Sequence, residues 1–184
     1  MIKEFLESEI DNALAQKICK LACASFPSDK TVNDRVKELL DQNQDGLQFS
    51  SSRRFVIFDD RGDAVAHAKT FIREINTDQG LLPVLALATV CTDPDSRGKG
   101  LGVEVTQKSF EQVGHQDWPA VSLFQTPVPV FYEKLGCRVV TNKFVDRTNL
   151  TAPDVFPWRD DTVMIYPAEF DWPDGTIDIN GPDY

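Results

Sequence analysis

Apolar residues along this chain alternate between two spacings. Ile10, Leu14, Ile18, Leu21 and Ala22 fall three or four apart, which is one helix face, and Ser8 or Asp11 stands where an N-cap belongs. Val32, Val36, Leu39 and Leu40 repeat that pattern and predict a second helix beginning near Asp29 or Thr31. Residues 2–6 predict a short first strand, and the polar stretch 42–52 predicts a loop. Residues 53–58 and 64–75 then read as two strands around the turn Asp59-Asp60-Arg61-Gly62-Asp63. Residues 81–91 are apolar on both faces, as a central strand should be. Helical spacing returns over 101–113. Strands follow at 120–124, 137–145 and 163–166, with a short helix at 128–135 ended by Gly136.

Chemistry concentrates between the central strand and the helix after it, in Asp93-Pro94-Asp95-Ser96-Arg97-Gly98-Lys99-Gly100-Leu101-Gly102. A strand, a glycine-rich turn and a helix in that order make an anion site. The first backbone N–H groups of a helix lack partners, its dipole favours negative charge, and glycines allow close approach. Two familiar phosphate loops do not fit. The nucleoside-triphosphate loop needs Ser or Thr after its lysine, and here Gly100 follows Lys99. The dinucleotide fingerprint needs G-x-G-x-x-G early in a βαβ unit, whereas Gly98, Gly100 and Gly102 alternate in mid-chain.

The spacing present is Arg-x-x-Gly-x-Gly, from Arg97 through Gly98, Lys99, Gly100 and Leu101 to Gly102. It resembles the coenzyme A pyrophosphate loop of the GCN5-related N-acetyltransferases. Further on, Phe131-Tyr132-Glu133-Lys134-Leu135-Gly136-Cys137 is similar to that family's F-Y-x-K-x-G-F signature, at the expected distance after the loop. The resemblance covers residues 53–145 and implies a mixed α/β sheet flanked by helices, with acetyl-CoA as acetyl donor. It implies that residues 97–102 hold the pyrophosphate and that Val90, Cys91 and Thr92 pair their backbone with the pantetheine arm. Gln125 stands where relatives often carry an Asn contacting that arm. Tyr132 matches the tyrosine that faces the coenzyme sulfur. A phenol, pKa about 10, can donate to a thiolate, whose acid has pKa about 8.5, without ionising at neutral pH.

The base is left open. Relatives often place a carboxylate on the central strand, and residues 81–92 contain none. His67 acting through a water, or an acid from the C-terminal segment, is the candidate, and a strand histidine in a structural role is the alternative. Asp93 reads as a cap of the loop. Cys91 as an acyl-carrying nucleophile has no histidine placed to pair with it.

Composition adds direction on the acceptor side. The net charge is −10, which argues against nucleic acid and favours a cationic substrate. Residues 151–184 carry eight acids against the single base Arg159. The segment loosely resembles the end of aminoglycoside 2′-N-acetyltransferases, where acids and a tryptophan line the acceptor pocket. That likeness points to Trp158, Trp172, Asp178 and Tyr184 as acceptor-binding residues; a solvated acidic tail with its aromatics packed on the sheet is the alternative.

The expectation is thus one domain over 1–184, with 151–184 as an acidic, aromatic extension. It has no membrane span and no secretion signal, and its four cysteines stay reduced in the cytoplasm. Cys19-x-x-x-Cys23 lies on an apolar helical face and reads as packing; no metal is expected. The expected activity is acetyl transfer to a primary amine on a small cationic molecule, by direct attack in a ternary complex. A peptide or protein N-acetyltransferase and a non-catalytic acyl-CoA sensor are the rivals. A homodimer is left open.

Overall fold

A computed structural model describes residues 1–41 and 46–184. The chain forms two compact units, Met1–Phe71 with Ala88–Glu111, and Ile72–Leu87 with Gln112–Tyr184. The strands β3 (Ala64–Thr77) and β4 (Gly80–Thr92) contribute residues to both.

In the first unit, β1 (Ile2–Leu6) pairs antiparallel with β2 (Arg53–Phe58), in register from Ile2 opposite Ile57 to Leu6 opposite Arg53. β2 in turn pairs antiparallel with the first half of β3, from Arg53 opposite Thr70 to Phe58 opposite Ala64, with a slip between Ile57 and Phe58. Helix α1 (Asn12–Ser25) starts where Asp11 accepts from the Leu14 N–H at 2.8 Å, so Asp11 rather than Ser8 is the cap. Helix α2 (Val32–Leu40) starts at a reciprocal cap: Thr31 Oγ1 accepts from the Asp34 N–H, and the Asp34 carboxylate accepts from the Thr31 N–H. The predicted face of α1, with Ile18, Cys19 and Leu21, packs in one apolar cluster with Val36 of α2, Val56 of β2 and Cys91 of β4.

The loop expected over 42–52 is corrected where it is described. Leu47–Ser51 forms a short helix, α3. The polar stretch predicts a loop, but its serines bind back onto the preceding turn, as Ser52 Oγ does to the Gln48 carbonyl at 2.7 Å. Residues 42–45 of that expectation lie outside the described residues. Helix α4 (Leu101–Phe110) closes the unit.

In the second unit β4 pairs parallel with β5 (Ser122–Gln125), and β5 pairs antiparallel with β8 (Val163–Tyr166). The strand expected over 137–145 is broken in two. β6 (Arg138–Val140) pairs with β8, while β7 (Lys143–Val145) pairs parallel with β9 (Thr176–Asp178), a strand the sequence pattern did not suggest. Asn142 stands at the break and supplies its reason. Its amide donates to the Pro173 and Gly175 carbonyls at 2.9 and 3.1 Å, and its oxygen accepts from Trp172 Nε1 at 2.8 Å. These bonds tie the position between β6 and β7 to residues 172–175, just before β9. Short helix α5 (Pro129–Glu133) precedes β6. The core here gathers Val84, Leu123, Phe144, Trp158, Val163, Ile165, Trp172 and Ile177.

Both units are mixed α/β structures built mostly from antiparallel strand pairs, the fold class expected from the sequence. Among the described residues no helix is long and apolar enough to cross a membrane.

Candidate active site

β4 runs directly into the glycine loop. A single 3-10 turn at Pro94–Ser96 follows the strand, closed by the Ser96 N–H on the Asp93 carbonyl at 2.8 Å. Asp93 stands at the N-cap of this turn and caps it with its backbone, while its carboxylate makes no capping bond. Gly98 and Gly100 take φ of +77° and +82°, a region costly for residues bearing a Cβ. A Cβ built on either would meet nothing within 4 Å, so the backbone conformation requires glycine and open space lies beside it. Gly100 is the N-cap of the ten-residue α4, and no side chain caps that helix. Its first N–H groups are thus left for an outside acceptor. Arg97 and Lys99 are exposed beside them. Loop and helix fit the pyrophosphate of a coenzyme.

Upstream, Val90 and Thr92 are half-buried and Cys91 is buried. Burial pushes the Cys91 thiol up to about 12, so it stays protonated at neutral pH and makes a poor acyl-carrying nucleophile. One residue earlier lies an irregularity that no sequence pattern marked: Thr89 has φ of +49° inside the strand. For a β-branched residue this is an outlier.

His67 is only 1% exposed. Its Nε2 lies 3.3 Å from Arg54 Nη1, and its Nδ1 lies 3.0 Å from the Thr89 carbonyl. Arginine only donates, so Nε2 accepts and the proton sits on Nδ1, donated to Thr89. Burial first, and then the Arg54 charge, lower the His67 pKa to about 3. A neutral imidazole with both nitrogens engaged does not suit a base working through water, and the structural reading of His67 fits its surroundings better. Arg54 is itself held by Glu7, with Nε on Oε2 at 2.9 Å and Nη2 on Oε1 at 2.7 Å, and Lys69 Nζ lies 3.4 Å from Oε1. Burial raises the Glu7 pKa, but the hydrogen bond and charge of Arg54, followed by Lys69, outweigh it and leave it lowered.

These shifts fix a pH dependence. Both groups bind protons more weakly folded than unfolded, so both stabilise most above their unfolded values and lose that contribution as pH falls. For His67 the window runs from 6.5 down to about 3, and Glu7 adds its loss below 4.5. Melting temperature should decline steadily across this range, by the equivalent of on the order of a few kcal/mol. A melting temperature flat from pH 6.5 to 4 would contradict this description of the network.

The second unit holds the other expected residues. Tyr132 sits on α5, 6% exposed, its ring 4.6 Å from that of Phe124 and 4.8 Å from that of Phe131. The Cys137 N–H returns to the Tyr132 carbonyl at 3.1 Å across the turn at Gly136, whose φ is +85°. This closure fixes the helix end that carries the phenol.

Gln125 is engaged elsewhere than expected. Its amide donates to the Tyr184 carbonyl at 3.1 Å and to Asp183 at 3.3 Å, and its oxygen accepts from the Asp160 N–H at 2.7 Å. Both ends of the side chain tie down the C-terminal segment, which corrects its assignment to the coenzyme arm. Asp178 lies within β9, where its carboxylate accepts from the Arg147 and Asn180 N–H groups at 3.1 and 3.0 Å. Such a buried carboxylate closes turns and does not face an acceptor. Trp172 and Trp158 belong to the core, 9% and 5% exposed. Tyr184 packs edge-on against Trp158 at 4.9 Å, lies under the Arg73 guanidinium at 4.7 Å, and donates its OH to the Leu123 carbonyl at 3.0 Å. Burial raises its pKa further. These four residues pack the segment in place, while Asp154, Asp161, Glu169, Asp171, Asp174 and Asp183 are exposed.

Known proteins bear on this arrangement. No curated protein matches the chain. Among solved structures it is similar to a GNAT family N-acetyltransferase (YhbS) from Escherichia coli in complex with CoA, with 17% identity and a TM-score of 0.67, covering 98% of this chain and 89% of that one. It is similar to Escherichia coli ElaA, with 20% identity and a TM-score of 0.56, covering 90% and 97%. A GCN5-related N-acetyltransferase from Kribbella flavida matches at 19% identity and a TM-score of 0.54 over 76% of this chain; the chain spans only 33% of that structure's length. Identities this low show a shared fold. Family membership rests on the sequence itself, since residues 8–140 match the family described as "Acetyltransferase (GNAT) domain", well over half of the chain. The chain belongs to the GNAT acetyltransferase family.

Proposed function

We propose that this protein transfers the acetyl group of acetyl-CoA to a primary amine on a small cationic molecule, the amine attacking the thioester directly in a ternary complex. The observation that carries the donor half is the open glycine loop at the uncapped start of α4, immediately after β4. In this reading residues 97–102 bind the pyrophosphate, Val90, Cys91 and Thr92 pair with the arm, and Tyr132 gives its proton to the departing thiolate. An ammonium of pKa about 10.4 is protonated at neutral pH and must lose a proton before it attacks; in this reading a base drains that proton through water, and Tyr132 regains its own from solvent.

The acceptor half draws on the acids of the C-terminal segment. A cleft of about 240 Å³ in the second unit is lined by Asp146, Asn149, Val155, Phe156, Pro182 and Asp183. Carboxylates beside an aromatic face suit an ammonium group, with cation–π contact worth about 0.5–2 kcal/mol. Asp183 and Phe156 take over the part first given to Asp178 and Trp172. Aminoglycosides and polyamines are the acceptors to try first.

Incubation with acetyl-CoA and a panel of amines, following free thiol, tests the activity. Peptide amines acetylated in preference to small cations would favour the protein-directed rival, and binding without thiol release would favour a sensor. The loop is tested by Gly100→Val. Forcing a branched residue to the φ of +82° should distort the site at a cost of about 1–2 kcal/mol, and calorimetry should show acetyl-CoA affinity lost in a protein still folded by circular dichroism. Native affinity in that variant would remove the loop from the site.

A further inference from the structure

We infer that His67 is a positioning residue for the donor site, holding Thr89 in its left-handed conformation and so directing the backbone of Val90, Cys91 and Thr92. The inference rests on the reading that those three residues carry the coenzyme arm. A threonine at φ +49° persists only where its surroundings hold it. Here the hold is visible: the Thr89 carbonyl accepts the Nδ1 proton of a histidine that is 1% exposed, at 3.0 Å.

That histidine is fixed in turn. Arg54 Nη1 donates to Nε2, which sets the tautomer and leaves Nδ1 as the donor. Glu7 grips Arg54 through two bonds of 2.9 and 2.7 Å, and the Arg54 and Glu7 side chains are only 5% and 2% exposed. The chain Glu7–Arg54–His67–Thr89 therefore runs from the end of β1 through β2 and β3 to β4. A left-handed residue within a strand breaks the regular alternation of N–H and C=O directions, so the groups that follow it point where a continuous strand would not aim them. The loop needs glycine to reach positive φ; at Thr89 a buried side chain does that work for a residue poorly suited to it.

Two variants separate the contacts of the imidazole. His67→Gln places an amide near Nε2, keeps an acceptor for Arg54 and abandons Thr89. His67→Asn places an amide nitrogen near Nδ1, keeps the bond to Thr89 and gives up Arg54. Titrations with acetyl-CoA and with adenosine 3′,5′-bisphosphate, which lacks the arm, then give the readout. His67→Gln should weaken acetyl-CoA by about tenfold while the bisphosphate changes by less than about twofold, and His67→Asn should stay within about threefold of native for both. Adding Thr89→Gly to His67→Gln should restore acetyl-CoA affinity, because glycine adopts positive φ without a hold.

Native affinity in His67→Gln, equal loss for both ligands, or no recovery in the double variant would each overturn the role. Should His67→Gln fail to fold, recovery of a folded protein on adding Thr89→Gly supports it, and no recovery overturns it. Native protein that binds no acetyl-CoA removes the coenzyme reading itself, and this role with it.

Discussion

Replacing Arg54 with leucine is expected to destabilise the protein by about 3–5 kcal/mol. The guanidinium has 5% exposure and holds Glu7 by two hydrogen bonds and the His67 ring by a third. Without it, the buried carboxylate keeps, among the described residues, the Lys69 ammonium at 3.4 Å, a partner that burial itself disfavours in its charged form. Much of the loss comes from leaving a charge uncompensated, so Glu7→Leu on top of Arg54→Leu should return a good part of it. Urea unfolding at pH 7 measures both. A single-variant loss under about 1 kcal/mol would show that the buried pair contributes no more than a surface one.

The second large effect concerns chemistry. Tyr132→Phe should lower kcat about 100-fold, the low end of what general acid catalysis supplies, with acetyl-CoA affinity nearly unchanged. Its ring, held against Phe124 and Phe131, loses only the OH, so the change in rate is not a change in packing. Single-turnover measurements keep product release from masking the result. A native rate in that format would take the proton-donor role away from Tyr132.

The conformation of the glycine loop is legible in the sequence because it rests on backbone rules that leave marks there. Gly98 and Gly100 occupy positive φ, and glycine is the residue that does so freely. The faces of α1 and α2 were legible for the same reason, a period of 3.6 against an apolar core. Thr89 was not, because threonine at φ +49° is held by partners distant in sequence and carries no local signature. His67 is a candidate base in the sequence because residue type alone does not tell a buried, doubly bonded imidazole from a reactive one. For the Glu7–Arg54 pair the available signal is Arg54 itself, a charged residue among apolar strand positions that something must pair with. On the acceptor side, a count of acids and aromatics does not tell which of them are spent on packing and turns. Asp178 and Trp172 close turns and fill the core, and Gln125 anchors Asp183 and Tyr184.

The seating of Tyr184 has a practical side. Its hydroxyl, ring and carbonyl are all engaged, while Met1 is 100% exposed. An affinity handle or fluorescent fusion therefore belongs on the amino end. At the other end it would leave from a residue wedged between Trp158 and Arg73, and the strain of accommodating it would fall on the segment that borders the proposed acceptor cleft.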